Sequence, residues 1–71
     1  MERLLRYSHE HDRVIRLMLL QEGSLTQVNA RVTSYDAEKI EFITTRSPRP
    51  QTALRADLLA ADFRKGDDGQ I

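Results

Sequence analysis

The sequence predicts a mostly β domain in which a short N-terminal α-helix precedes a compact barrel of five short strands. The first observation is a regular alternation of apolar and polar residues over positions 25–35, which is typical of a half-buried strand. The second is a series of similar short segments separated by turn residues such as Glu22, Gly23 and Ser24. Because exposed strand edges must be paired or covered, we expect the five strands to close into a barrel.

The first residues predict an α-helix of roughly two or three turns, whose less polar face carries Met1, Leu4, Leu5 and Ser8. A helix this short is not stable alone, so we expect it to dock on the barrel. Residues 9–12 are polar and are predicted to form a connector. Residues 13–21 are predicted to form the first strand, in which the inward-facing side chains are those of Ile15, Leu17 and Leu19.

The middle of the chain predicts a hairpin. Residues 25–35 form the second predicted strand, with one apolar face made by Val28, Ala30 and Val32. A tight turn is predicted at residues 35–38, where the Asp36 carboxylate is well suited to accept hydrogen bonds from the turn backbone. Residues 39–45 return as the third predicted strand, whose inward-facing side chains are those of Ile40, Phe42 and Thr44.

The last part of the chain predicts a loop, two short strands and a tail. Pro48 and Pro50 lack an N–H donor, so residues 47–50 are predicted to form an exposed loop. Residues 52–55 form the fourth predicted strand and residues 56–58 a single helical turn. The fifth, residues 59–63, is predicted to pack with Leu59, Ala61 and Phe63. The barrel domain with its helix therefore spans residues 1–64, and residues 65–71 are expected to be a flexible tail.

The composition narrows the functional classes. The 71 residues include eleven basic and eleven acidic side chains, so no overall charge draws the chain onto a polyanion. The chain has no cysteine, which excludes disulfides, and a domain this small commonly gains stability by self-association. No stretch approaches the roughly 20 apolar residues of a membrane span, and the first residues do not resemble a signal peptide. We therefore expect a cytoplasmic protein without membrane contact.

Residues typical of catalytic and metal sites are sparse. No nucleophile motif or glycine-rich phosphate loop is present, and the neighbouring carboxylates Asp67 and Asp68 fall in the predicted tail. His9 and His11 would share a face on a strand but point apart on a helix, and two imidazoles without a third ligand do not make a zinc site. We expect a protein that is not an enzyme and has neither a metal site nor a cofactor.

Segments 15–20 and 30–36, together with Gly23 between them, resemble the Sm-like proteins, including the bacterial Hfq group. Segment 53–59 resembles the second Sm motif, in which a short strand, one helical turn and a last strand close the barrel. The resemblance covers residues 13–63. It implies a five-stranded SH3/Sm-like small barrel, contact with RNA and assembly of several copies into a ring.

The chain departs from that pattern at two places. Ala30 stands where the family usually has a glycine at the bend of the second strand. Leu54, Arg55 and Ala56 stand where the Hfq group has an aromatic residue, a lysine and a histidine that contact RNA. Only Arg55 keeps the charge, so the uridine-binding site of that group is not carried over to this chain.

The same residues also resemble the WYL domain of bacterial transcription regulators and the short YolD-like proteins. Residues 40–43 would stand at the Trp-Tyr-Leu strand of the WYL domain, although the chain contains no tryptophan. The WYL resemblance implies an alternative function, which is a module that binds a protein or senses a small ligand without direct nucleic-acid contact.

The candidate nucleic-acid-binding residues are four arginines, Arg31, Arg46, Arg49 and Arg55. No carboxylate lies between Glu41 and Asp57, and guanidinium groups contact phosphates and stack on bases. The alternative interpretation is a set of solvated arginines without a ligand. The leading hypothesis is a non-enzymatic small-barrel module that binds RNA or single-stranded DNA, or serves a nucleic-acid-processing or regulatory assembly. We expect it to act as a homo-oligomer or with a protein partner.

Overall fold

The computed structural model describes residues 1–67 and 69, and it confirms a mostly β chain with one N-terminal helix. The elements in chain order are α1 (Glu2–His11), β1 (Ile15–Gln21), β2 (Ser24–Tyr35), β3 (Lys39–Thr44), β4 (Gln51–Leu54), a 3₁₀ turn (Arg55–Asp57) and β5 (Leu58–Phe63). The strands form one antiparallel sheet in the order β4-β3-β2-β1-β5. The predicted number and sequence of elements are therefore confirmed.

The sheet is open, and the predicted closed barrel is not formed within the described residues. β4 pairs with β3 and β5 pairs with β1, so these two strands lie at opposite edges of the sheet. The 3₁₀ turn joins them directly and lies close to both β1 and β3. β4 is only four residues long, and the 3₁₀ turn follows it at once. The turn connects β4 with β5, and the two strands do not pair with each other. Within residues 1–67 and 69, neither outer strand pairs with another strand along its outer edge.

The core lies on the inner face of this sheet, where the alternating apolar residues meet. The buried hydrophobic side chains are those of Leu5, Ile15, Leu17, Leu19, Ala30, Val32, Ile40, Phe42 and Leu58. The predicted inward faces of β1 and β2 are confirmed, although Val28 and, on β3, Thr44 are only half-buried. Successive side chains of a strand point to opposite faces of the sheet. One residue placed correctly on the inner face therefore fixes the face on which its neighbours in that strand lie.

The helix has the predicted two or three turns, but the predicted connector at residues 9–12 is wrong, because residues 9–11 belong to the helix. α1 continues through His11 and ends at Asp12, which adopts a left-handed conformation with φ 54° and donates its N–H to the Ser8 carbonyl. Asparagine and aspartate tolerate this conformation better than most residues, which allows the chain to turn sharply here. His9 and His11 consequently lie on a helix and not on an extended segment.

Ser8 joins the helix to the sheet. Its side chain is completely buried, and its hydroxyl donates to the Arg13 carbonyl at 2.7 Å while it accepts the Val32 N–H at 2.9 Å. Leu5, one helical turn earlier, is buried in the core beside it. The expected docking of the helix therefore combines apolar burial with a direct hydrogen bond to β2.

The facing of the last strand differs from the prediction. Leu58 is buried with 4% of its surface exposed, whereas Leu59 is 51% exposed. The register explains this difference, since Met18 opposes Ala60 and Leu19 opposes Leu58, which leaves Leu59 as an extra residue in a β-bulge. Ala61 and Phe63 are half-buried on the inner side, as predicted.

The first part of the predicted tail contacts the helix. The Tyr7 hydroxyl donates to the Asp67 carboxylate at 2.8 Å. The Tyr7 ring also packs edge-on against the Phe63 ring, with 5.3 Å between the ring centroids. The Asp67 carboxylate also accepts the Gly69 N–H at 2.8 Å. Together these two bonds lower the pKa of Asp67, the bond from Gly69 contributing more. Positions 68, 70 and 71 of the predicted flexible tail lie outside the described residues.

The turn between β2 and β3 is organised by Asp36, as predicted. One carboxylate oxygen accepts the N–H groups of Glu38 and Lys39, at 2.8 and 2.9 Å. These hydrogen bonds favour the ionised form and lower the pKa of Asp36, with the Glu38 bond the larger contribution. The Asp36 carbonyl in turn accepts a hydrogen bond from the Arg55 side chain, which attaches the turn to the end of β4.

We expect Asp36→Asn to destabilise the protein at neutral pH and to destabilise it less in acid. A carboxylate with a lowered folded-state pKa stabilises the fold above its ordinary pKa of about 4, and this contribution is lost as the pH falls through the folded-state value. The free energy of unfolding, measured by urea denaturation at neutral pH and near pH 3, checks this expectation. Glu10→Gln, at an exposed carboxylate of α1, is the control. A deficit of equal size at both pH values would contradict the assignment.

Candidate nucleic-acid interface

The loop between β3 and β4, residues 45–50, carries two of the four candidate arginines. Its first residue is fixed by a hydrogen bond from the Thr45 N–H to the Asn29 carbonyl at 2.9 Å. The Thr44 hydroxyl then accepts the Ser47 N–H at 3.2 Å. Together with Pro48 and Pro50, these bonds restrict the loop backbone. The predicted exposed loop is confirmed, and the sequence places Arg46 and Arg49 on it.

Arg46 and Arg49 are exposed and have no ion-pair or hydrogen-bond partner for their side chains among residues 1–67 and 69. An arginine side chain carries a positive guanidinium group with five N–H donors in a planar arrangement. An external anion can therefore bind them without displacing an internal partner.

Arg31 and Arg55 are occupied by internal ion pairs. Arg31 contacts the Asp12 carboxylate at 2.5 Å, at the end of the helix. Arg55 contacts the Glu2 carboxylate at 2.6 Å and donates to the Asp36 carbonyl at 2.8 Å. Either arginine would have to exchange or share these partners in order to bind a phosphate.

The four arginines do not form one cluster. Arg49 precedes β4 and Arg55 follows it, so the length of this strand, about 13 Å for four residues, lies between them. Arg55 belongs to the end of the sheet where the β2–β3 turn lies, and its side chain contacts that turn. Of the four candidate arginines, Arg46 and Arg49 are therefore the two whose side chains have no internal partner among the described residues.

The aromatic side chains do not provide a stacking surface. Phe42 is completely buried, and Tyr7, Tyr35 and Phe63 are half-buried. Tyr35 meets the His9 ring edge-on at 6.0 Å, which orders its ring against the helix. The arginine loop therefore offers contacts to phosphates and not stacking to bases.

The histidines of α1 contact aromatic rings and lie on separate faces of the helix. The centroid of the His11 ring lies 5.7 Å from that of the Tyr7 ring, while the His9 ring packs against the Tyr35 ring. Among the described residues, no group of three or more histidine, aspartate or glutamate side chains is arranged to hold a metal ion. Over the same residues, no helix combines the length and hydrophobicity needed to cross a membrane.

A polar cleft of about 390 Å³ lies beside the arginine loop and was not predicted from the sequence. It is bounded by Gln21 at the end of β1, Gln27 and Asn29 on β2, Thr44 and Arg46 near the end of β3, and Gln51 on β4. Amide and hydroxyl side chains scattered over four strands carry no motif spacing, so only the pairing of the strands brings them together.

Comparison of the chain with protein-family models, with curated proteins and with solved structures finds no match in any of the three. The likeness to the Sm-like proteins and to the WYL domain therefore stays a prediction.

Proposed function

We propose that this chain is a non-enzymatic small β module that binds RNA or single-stranded DNA through the phosphates. The observation that carries the proposal is the pair of exposed, partner-free guanidinium groups of Arg46 and Arg49 on a restrained loop. Arg31 is a secondary contact, since it is ion-paired with Asp12, and Arg55 another, since it is paired with Glu2. Phosphate contacts position a strand without reading its sequence, so we expect little base preference from these arginines.

The order of elements supports an SH3/Sm-like identity within this proposal. A helix precedes a three-stranded meander, and one 3₁₀ turn separates two short strands, as the resemblance to Sm-like proteins implies. The free edges of β4 and β5 support self-association, because an unpaired strand edge is completed by the edge of another copy. Leu54 and Leu59, at these edges, are more than half exposed and would be covered by such pairing.

We expect the double variant Arg46→Glu/Arg49→Glu to weaken binding of a short RNA or DNA by about tenfold or more at low salt. Each lost phosphate contact should also reduce the slope of log affinity against log salt concentration by about one. Fluorescence anisotropy with labelled oligonucleotides over a salt series measures both quantities.

Arg3→Glu/Arg6→Glu on α1 is the matched control for that double variant, since it makes the same charge change at two exposed arginines outside the loop. A wild-type protein that binds neither nucleic acid, or a loop double variant that binds as tightly as Arg3→Glu/Arg6→Glu, would reject the proposal.

The second candidate function is a protein-interaction or small-ligand sensing module of WYL type. The exposed leucines favour it, since Leu20, Leu25, Leu54 and Leu59 are each 41–61% exposed. A partner bound through these leucines would associate in a salt-insensitive manner and would not respond to charge reversal at Arg49. The salt series above therefore separates the two functions.

A further inference from the structure

The polar cleft beside the arginine loop is lined mostly by amide and hydroxyl side chains. Four amide side chains border it, those of Gln21, Gln27, Asn29 and Gln51, together with four threonine or serine residues and Val28. Arg46 is the one charged residue, and none of the described residues that line the cleft is aromatic or acidic. Such a lining offers many hydrogen bonds and one permanent positive charge, but no surface on which a base could stack.

Asn29 is the most informative residue of this lining. Its Oδ1 is buried and has no hydrogen-bond partner among the described residues, whereas its Nδ2 is not buried. No contact occupies Nδ2, so both of its N–H donors are available. A half-buried amide without any internal hydrogen bond is uncommon, because most such groups are paired within the protein.

The pairing of β2 with the end of β3 places Asn29 next to the arginine loop. The Asn29 carbonyl accepts the Thr45 N–H at 2.9 Å, and Arg46 is the following residue. The amide donors of Asn29 and the guanidinium group of Arg46 therefore belong to neighbouring positions of the same cleft.

We propose that the polar cleft binds a sugar phosphate that has free hydroxyl groups. Arg46 and the Nδ2 of Asn29 donate to the phosphate oxygens, and the remaining amides and hydroxyls exchange hydrogen bonds with the sugar. This unit occurs in an RNA strand and in free sugar phosphates. For the RNA source the inference rests on the proposed function, and it adds a preference for RNA, because DNA lacks the 2′-hydroxyl.

The test compares Asn29→Asp with the unaltered protein. The variant keeps the shape of the side chain but replaces the Nδ2 donor by a carboxylate oxygen that repels phosphate. Losing a hydrogen bond to a charged group should weaken RNA binding by about tenfold or more. Ala37→Asp adds the same charge at an exposed position of the β2–β3 turn, outside the cleft, and is the matched control. If Asn29→Asp does not fold by circular dichroism, Asn29→Ala removes the donor without adding a charge.

The probes are a short RNA, a DNA of the same base order, ribose 5-phosphate and 2-deoxyribose 5-phosphate, each titrated by calorimetry. Tighter binding of RNA than DNA, lost in Asn29→Asp but not in Ala37→Asp, supports the cleft. Asn29-dependent binding of ribose 5-phosphate without binding of RNA or DNA supports the cleft and rejects the proposed nucleic-acid function. Equal binding of RNA and DNA, unaffected at Asn29, overturns the cleft and leaves the arginine loop. If none of the probes binds, both proposals fall.

Discussion

Leu58→Ala is expected to lower the free energy of unfolding by about 2–4 kcal/mol, whereas Leu59→Ala should change it by less than about 0.5 kcal/mol. Leu58 is buried against the core, and its truncation leaves a cavity among well-packed neighbours. Leu59 projects from the bulge into solvent, with half of its surface exposed. Urea denaturation of the two variants, which remove the same atoms from adjacent positions, measures the difference directly.

A protein of this size has a total stability of about 4–10 kcal/mol, so the Leu58 variant would lose a large part of it. If β5 alternated regularly, Leu59 would face inward, and Leu59→Ala would lower the free energy of unfolding more than Leu58→Ala. A larger loss for Leu59→Ala than for Leu58→Ala would therefore contradict the bulge.

Ser8→Ala is expected to destabilise the protein by about 1–3 kcal/mol although it removes a single atom. Without the hydroxyl, the buried N–H of Val32 has lost its acceptor and the Arg13 carbonyl has lost a donor. A buried unpaired donor costs the whole of its desolvation, which exceeds the net contribution of an ordinary hydrogen bond. Thermal and urea unfolding, with the exposed Ser34→Ala as control, measures this loss.

Hydrogen exchange of the Val32 amide gives an independent measurement. We expect faster exchange at this amide in Ser8→Ala, since the helix would then be held by apolar contacts such as those of Leu5. If Ser8→Ala were as stable as Ser34→Ala and exchange at Val32 were unchanged, the hydroxyl would not join the helix to β2.

The sequence predicts the strands well where a polar residue marks the outer face. Arg16 in β1, and Asn29 and Arg31 in β2, stand between apolar residues and mark the outer face, so the buried positions follow from alternation. In β5 the run Leu58, Leu59, Ala60, Ala61 has no polar residue to mark a face. The bulge there depends on the register with β1, which local sequence does not determine.

The candidate site was predicted only in part, because its electrostatics depend on contacts between distant residues. Arg55 is paired with Glu2, which lies 53 positions away, and Arg31 with Asp12, which lies 19 positions away. Local sequence does not predict either ion pair. It shows only that the segment around the β3–β4 loop is basic. The exposure of Arg46 and Arg49 was predictable, since the two prolines beside them exclude a central strand.

The two free edges of the sheet differ from each other, and this difference gives any stack of copies a direction. If β4 of one copy joins β5 of the next, the contact is heterologous, and every added copy again presents one edge of each kind. The angle between successive copies then decides whether the oligomer closes into a ring or continues as an open fibre. Because the 3₁₀ turn connects the two edges within each copy, a change in its geometry would alter that angle.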